Sequence, residues 1–143
     1  MTTLRHITVG AIFALCVIAA PAAAQDFKVV ANPSVAASDI AAADLAKIFL
    51  KQTSKYPDGG AAVPVDQGKA SPVRAAFSQK VLGKSVGAVD TYWQQQIFSG
   101  KDVPPAAKSS DDDVIAFVKA TPGAIGYVAA SAGAAGVKTI TVK

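Results

Sequence analysis

The chain opens with a segment that reads as an export leader rather than as part of a folded domain. A short basic start, Arg5-His6, precedes an apolar run from Ile7 to Ala20, and Pro21-Ala22-Ala23-Ala24 follows before Gln25-Asp26. That order is the layout of a cleavable export signal with a small-residue cleavage site. The run is too short to span a bilayer comfortably, and no second one follows it. The expectation is that residues 1–24 are removed, leaving 119 of the 143 residues as one domain, 25–143. That domain would have no transmembrane segment and would work in the periplasm or outside the cell.

The cut decides what the domain can be made of. Cys16 and His6 are the chain's only Cys and His, and both lie in the leader. The remainder can form no disulfide, no Cys nucleophile, no His general base and no Cys/His zinc site. It must therefore be held by an apolar core alone. All ten acidic residues are Asp, and Arg74 is the one Arg beyond the leader. Acid–base chemistry would fall to Asp, Lys or Tyr, and no two of these cluster convincingly, so an enzyme is not expected. No cofactor is implied either. Asp111-Asp112-Asp113 has the oxygen ligands a hard cation prefers, but consecutive carboxylates at one helix start diverge. Capping accounts for them, and no metal site is assigned. Loss of Arg5 takes the formal net charge from +4 to +3, with the Lys residues scattered and no positive stripe of the kind nucleic acid requires.

Along the chain, β-rich runs alternate with helical ones. Phe27–Ala31 reads as a strand that Asn32-Pro33 must end, since proline cannot donate to a ladder. A helix starting at Ser38 or Ala41 carries Leu45, Ile48 and Phe49 on one face. Tyr56-Pro57-Asp58-Gly59-Gly60 is a turn, residues 61–65 a second strand, and residues 66–70 a polar loop. Helices follow from Val73 through Phe77 and Leu82 to a Gly83 stop, and from Ser85 or Val86 to Phe98 through Val89, Trp93 and Ile97. Residues 102–108 read as a loop. Ser110-Asp111-Asp112-Asp113 opens another helix that Thr121-Pro122-Gly123 stops. Residues 124–128 form a buried strand and 137–142 a last one. Alternation of this kind is α/β, with a parallel or mixed sheet. Trp93 and Tyr127 read as packing residues, Tyr127 with its hydroxyl satisfied at an edge. Gly123 and Gly126 read as backbone geometry.

Several of these residues form a familiar series. Asn32-Pro33, Asp44-Leu45-x-x-Ile48-Phe49-Leu50, Asp58-Gly59 and Val63-Pro64-Val65 are followed by Ser71 to Phe77 and Phe98-Ser99-Gly100. The series ends in Thr121-Pro122-Gly123-Ala124-Ile125-Gly126-Tyr127-Val128. In that order it resembles the extracytoplasmic substrate-binding protein of phosphate ABC transporters. The resemblance implies a type II periplasmic-binding-protein fold, whose two lobes close on an oxyanion. At this length the chain corresponds to a single lobe, a PBP-like domain: three layers around a central mixed or parallel sheet. It implies phosphate or a similar small oxyanion as ligand, and an ABC permease or another envelope protein as partner.

The candidate anion site is the start of the helix after the second strand. Ser71 suits the N-cap and Pro72 the first helical position. The N–H groups of Val73 and Arg74 then leave the helix start without intrahelical partners. An oxyanion there would gain those donors, the dipole, the Ser71 hydroxyl and a charge-assisted contact from Arg74. Three departures weaken the site. The family's Gly is Pro72 and its Thr is Val73, which removes a backbone donor and a hydroxyl. Its Arg, four residues before the Ser, is Gln67. Binding at Ser71, Val73, Arg74 and Gln67 is therefore expected to be weak and exposed, unless a second copy or another protein closes the cleft. The alternative is a non-catalytic envelope interaction module that kept the fold and lost the anion site, a homodimer being one form of it.

Overall fold

A computed structural model describes residues 26–143. The expected leader, residues 1–24, lies outside the described residues.

Ten regular elements alternate much as the sequence implies. They are β1 (Phe27–Ala31), β2 (Asp39–Ile40), α1 (Ala42–Phe49), β3 (Val63–Gln67) and α2 (Pro72–Phe77). Then come α3 (Val86–Phe98), β4 (Ala106–Lys108), α4 (Asp111–Ala120), β5 (Ala124–Ala129) and β6 (Lys138–Val142). A π-helical turn, Ser78–Leu82, continues α2 to Gly83, whose φ of 61° gives the left-handed stop expected there.

The strands form one mixed sheet in the order β2-β6-β1-β5-β3-β4. β1 runs antiparallel to both neighbours, β5 and β6, while β3 is parallel to β5 and to β4. Side chains alternate across the sheet and so feed two cores. On one face Val29, Ala31, Ile125, Tyr127 and Ala129 meet Leu45, Ile48 and Phe49 of α1 and Val73 and Phe77 of α2. Aromatic rings fill this core: Phe77 stacks on Tyr127 at 4.0 Å between centroids, and Phe49 packs on Phe77 at 4.7 Å. On the other face Val30, Val65 and Val128 meet Val114 and Val118 of α4. Each fully buried side chain of this size contributes about 1.5–3 kcal/mol, and together they replace the disulfides the composition forbids. Three layers result, helices on both faces of the sheet.

Gly126 fixes the spacing of the second face. A Cβ there would lie 2.7 Å from Val65 Cγ1 and 2.8 Å from Val114 Cγ1, so α4 can approach the sheet only because the position is bare. Gly123 has φ +76°, and a Cβ would meet the Ala61 carbonyl oxygen at 2.4 Å. Both glycines thus serve backbone geometry, as expected.

The sequence reading needs four corrections. The second strand is residues 63–67 rather than 61–65, because Val63, Val65 and Gln67 alternate inward against β5. Asp66 and Gln67 therefore stand in the sheet, not in a polar loop. Part of the loop read at 102–108 is strand β4, which pairs parallel to β3. Asp39–Ile40, read as the approach to a helix, pairs with β6 as β2, and α1 begins at Ala42. Ile97, read on the buried face of α3, is 53% exposed, while Val89 and Trp93 are buried.

Candidate functional site

β3 ends with Asp66 and Gln67, a short loop follows, and Ser71 starts α2. The loop is pinned by two backbone bonds, Gly68 N–H to Lys108 O at 3.0 Å and Ser71 N–H to Gly68 O at 3.0 Å. Ser71 caps the helix as expected, its Oγ accepting the Arg74 N–H at 3.2 Å. The structure thereby brings together all four residues expected at an anion site. What it shows in addition is where their polar groups go.

The Ser71 hydroxyl donates to Gln67 Oε1 at 2.6 Å. The Gln67 side-chain amide donates to Asp111 Oδ1 at 2.8 Å and to the Tyr127 carbonyl at 2.9 Å, so a side chain only 4% exposed has its hydrogen-bonding capacity met. Arg74 is not a surface cation. It is 6% exposed; Nη1 donates to Gln67 O at 3.1 Å, and Nη2 lies 3.6 Å from Asp66 Oδ2 and 3.5 Å from Asp90 Oδ1. Its Nε is buried without a hydrogen-bond partner. Asp90 also receives Lys69 Nζ at 2.9 Å. The Val73 side chain belongs to the aromatic core, so its N–H is what the position can offer a ligand. Pro72 has no N–H, Arg74's goes to Ser71 Oγ, and Ala75's goes to Ser71 O at 3.2 Å.

Three further residues complete the cluster. Tyr127 sits in β5, in mid-sheet rather than at an edge, and its hydroxyl donates to Asp66 while Gln67 N–H reaches the same oxygen at 3.3 Å. Burial first, then the Asp66 charge, pushes the phenol well above its usual value, so it remains a protonated donor. Asp111, the first residue of α4 after the Ser110 cap, does more than suit the helix dipole: its second oxygen accepts the Ala129 N–H at 3.3 Å. Corrected strand bounds would have signalled Asp66. Nothing local signals Asp111 or Tyr127, since both enter from distant segments.

The electrostatic balance follows directly. Arg74 faces Asp66 and Asp90, Lys69 pairs with Asp90, and Asp111 adds a third carboxylate through Gln67, so among these residues carboxylates outnumber cations by three to two. A dianion placed at Ser71 would meet donors already engaged and a locally negative field. Beside the cluster lies a cavity of about 290 Å³ between α3 and β4, walled by Asp66, Arg74, Asp90, Trp93, Ile97 and Pro104 among others. A larger one, about 530 Å³, opens at the opposite end of β3 and β5. Its polar groups are satisfied by one another: Tyr56 hydroxyl to Gly123 O at 2.9 Å, Gly123 N–H to Ser34 Oγ at 3.1 Å and Gly60 N–H to Asp58 at 2.9 Å. Size alone does not make it the site, because the charged residues converge at the other end. Among the described residues, no group of three or more His, Cys, Asp or Glu could hold a metal ion, and no helix is long and apolar enough to cross a membrane.

No protein-family model matches the chain, and no curated protein matches it. Solved structures do. A phosphate ABC transporter substrate-binding protein of Clostridium perfringens, solved with phosphate bound, superposes with TM-score 0.64 at 16% identity over 82% of this chain and 45% of that one. An ABC-type phosphate transport receptor from Vibrio cholerae gives 0.62 at 15% identity over 82% and 46%. PstS from Borrelia burgdorferi gives 0.64 at 14% over 83% and 47%. The chain thus has the fold of a lobe of these proteins and spans less than half their length.

Proposed function

We propose that the protein is an exported, non-enzymatic binding lobe of the phosphate-receptor type. It would meet phosphate or a similar small oxyanion weakly at Ser71, Val73, Arg74 and Gln67, in the periplasm or outside the cell. An ABC permease or another envelope protein would be its partner. The observation that supports this reading is the convergence of Gln67, Ser71 and Arg74 at a helix start after β3, in a chain with the fold of phosphate-binding proteins. The weakness follows from the spent donors and the three carboxylates.

Isothermal calorimetry with phosphate, sulfate and molybdate tests it. Phosphate is expected to bind in the millimolar range, to lose its heat in Ser71→Ala, and to bind more tightly to Asp111→Asn, which removes a carboxylate from the cluster. Absence of heat from both the natural protein and Asp111→Asn would refute oxyanion binding. A second reading, a non-catalytic envelope interaction module, is favoured by one observation: the Gln67, Ser71 and Arg74 side chains are bonded within the chain. A site that satisfies itself is stable when empty.

A further inference from the structure

Two charged residues beside the oxyanion site have no part in it as described above, and they meet each other. Lys69 lies in the loop between β3 and α2, and Asp90 lies on α3. One oxygen of Asp90, Oδ2, receives Lys69 Nζ at 2.9 Å, and the other, Oδ1, is 3.5 Å from Arg74 Nη2. A carboxylate therefore stands between two cations with one oxygen toward each, the arrangement a small oxyanion would adopt between them. Asp66 Oδ2 faces the same Nη2 at 3.6 Å, and Arg74 Nε finds no partner among the described residues although the side chain is buried. Contacts of 3.5 and 3.6 Å are long for charge-assisted hydrogen bonds. Carboxylates face this edge of the guanidinium without saturating it.

The helix that brings Asp90 is lightly held. Of its thirteen residues only Val89 and Trp93 are buried, whereas the eight of α1 bury Leu45, Ile48 and Phe49. A glycine in left-handed backbone bounds it at either end, Gly83 at φ 61° and Gly100 at φ 68°. The Tyr92 hydroxyl ties it to Leu50 O at 2.8 Å, and Asp90 ties it to the polar cluster. Lys69, Arg74, Asp90 and Trp93 also wall the cavity of about 290 Å³ between α3 and β4, so an anion can reach the two cations from that side. It cannot share them with Asp90, because like charges at such a distance repel strongly where water is scarce.

We propose that Asp90 is an internal competitor for the oxyanion site: it occupies Lys69 and Arg74 in the ligand-free protein, and an entering oxyanion displaces it and loosens α3. The inference rests on the oxyanion reading and adds two residues to that site, Lys69 to hold the ligand and Asp90 to set the affinity. Linkage makes the effect reciprocal. Whatever draws α3 away from Arg74 raises oxyanion affinity by the factor by which the oxyanion favours the loosened helix.

Calorimetry with inorganic phosphate on the natural protein, Asp90→Asn and Asp111→Asn tests the competition. Asp90→Asn is expected to bind about tenfold more tightly or better, the scale of removing a like charge beside a bound anion. Its gain should exceed that of Asp111→Asn, which removes a carboxylate without freeing a cation. Lys69→Met, at an exposed position, should weaken binding by a larger factor in the Asp90→Asn background than in the natural one, where the ammonium is already engaged. Hydrogen exchange of the α3 amides in the natural protein should quicken under saturating phosphate, a readout that needs no variant to fold. Equal affinity of the natural protein and Asp90→Asn, or α3 exchange unmoved by saturating phosphate, overturns the inference and leaves the oxyanion reading standing. Heat from Asp90→Asn alone upholds the inference and removes oxyanion binding from the natural protein. No heat from any of the three overturns both.

Discussion

The starts of α2 and α3 are built on the same local pattern and end up as different objects. Ser71 accepts the Arg74 N–H at 3.2 Å and Ser85 accepts the Ala88 N–H at 3.1 Å, each serine in extended backbone one residue ahead of its helix. At α3 the cap is exposed and nothing else is attached to it. At α2 the hydroxyl hydrogen enters a chain of contacts reaching β3, β5 and α4, with a buried guanidinium at its centre. The lesson is that a helix start becomes a site through what distant strands bring to it. The same arrivals can also consume it.

The largest expected difference between the two starts lies in their cations. Arg74→Met leaves Asp66 and Asp90 without their buried partner and should cost about 3–5 kcal/mol, the range for breaking a buried pair from one side. Lys84→Met, beside the α3 start, should stay within about 0.5 kcal/mol. Urea denaturation reads both. Equal, small effects would mean that the α2 cluster is no more than a surface arrangement.

Tyr127→Phe comes next. It removes the donor to Asp66 and one contact of the Gln67 N–H, at about 1–3 kcal/mol. It also carries a pH signature. The native phenol is pushed above its unfolded value, so its contribution is fully present below about pH 10 and is lost as pH rises beyond that value. The gap between wild type and Tyr127→Phe should therefore narrow under alkaline conditions. A gap independent of pH would show that the hydroxyl is not held as described.

Serine replacement gives a smaller contrast. Ser85→Ala should cost about 1 kcal/mol, as a lost cap does. Ser71→Ala should cost roughly 1 kcal/mol more, because it also strands the buried Gln67 acceptor. Gln67→Met is itself costly, because it frees the Asp111 and Tyr127 acceptors, but in its background Ser71→Ala should cost less than in the natural protein, since no Gln67 acceptor is left to strand. Additive losses would instead show the two side chains to be independent.

Much of this architecture was legible in the chain itself. Leu45, Ile48 and Phe49 mark α1 because a core-facing helix needs that spacing. Thr121-Pro122-Gly123 marks the turn into β5 because a positive φ is needed there. The Ser71 cap was legible locally, from Ser-Pro at a helix start, whereas Gln67 was brought to it only by the family resemblance, and local reading left it in a loop. The short strands were not. β2 and β4 have two and three residues, too few for any alternation to register, and they exist because a longer neighbour lends them a ladder. Nor was the fate of the site legible. Asp111 is 44 positions from Gln67 and Tyr127 is 60, so the residues that spend its donors arrive only with the sheet.

The smallest effect is expected at a third serine cap, where α4 begins, and it separates two carboxylates of one sequence run. Asp111 points into the polar cluster, whereas Asp113 is solvent-exposed and held locally by the Ser109 hydroxyl at 2.9 Å, with Ser110 Oγ accepting its N–H at 3.1 Å. Side-chain hydrogen bonding to the carboxylate, from Ser109 first and then from Ser110, keeps the Asp113 carboxyl below the usual range. A group depressed in the folded state stabilises above its unfolded value, about pH 4, and loses that contribution as pH falls through the lower native one. Asp113→Asn should therefore lower Tm slightly at neutral pH, and the difference should vanish in acid. Asp111→Ala differs in kind, since it removes the acceptor of the buried Gln67 amide and of the Ala129 N–H, and it should lower Tm more than Asp113→Ala at neutral pH. Thermal melts of both alanine variants, with an acid series for Asp113→Asn, read the two contributions. Equal losses for the two alanine variants would mean that Asp111 is no more part of the cluster than its neighbour.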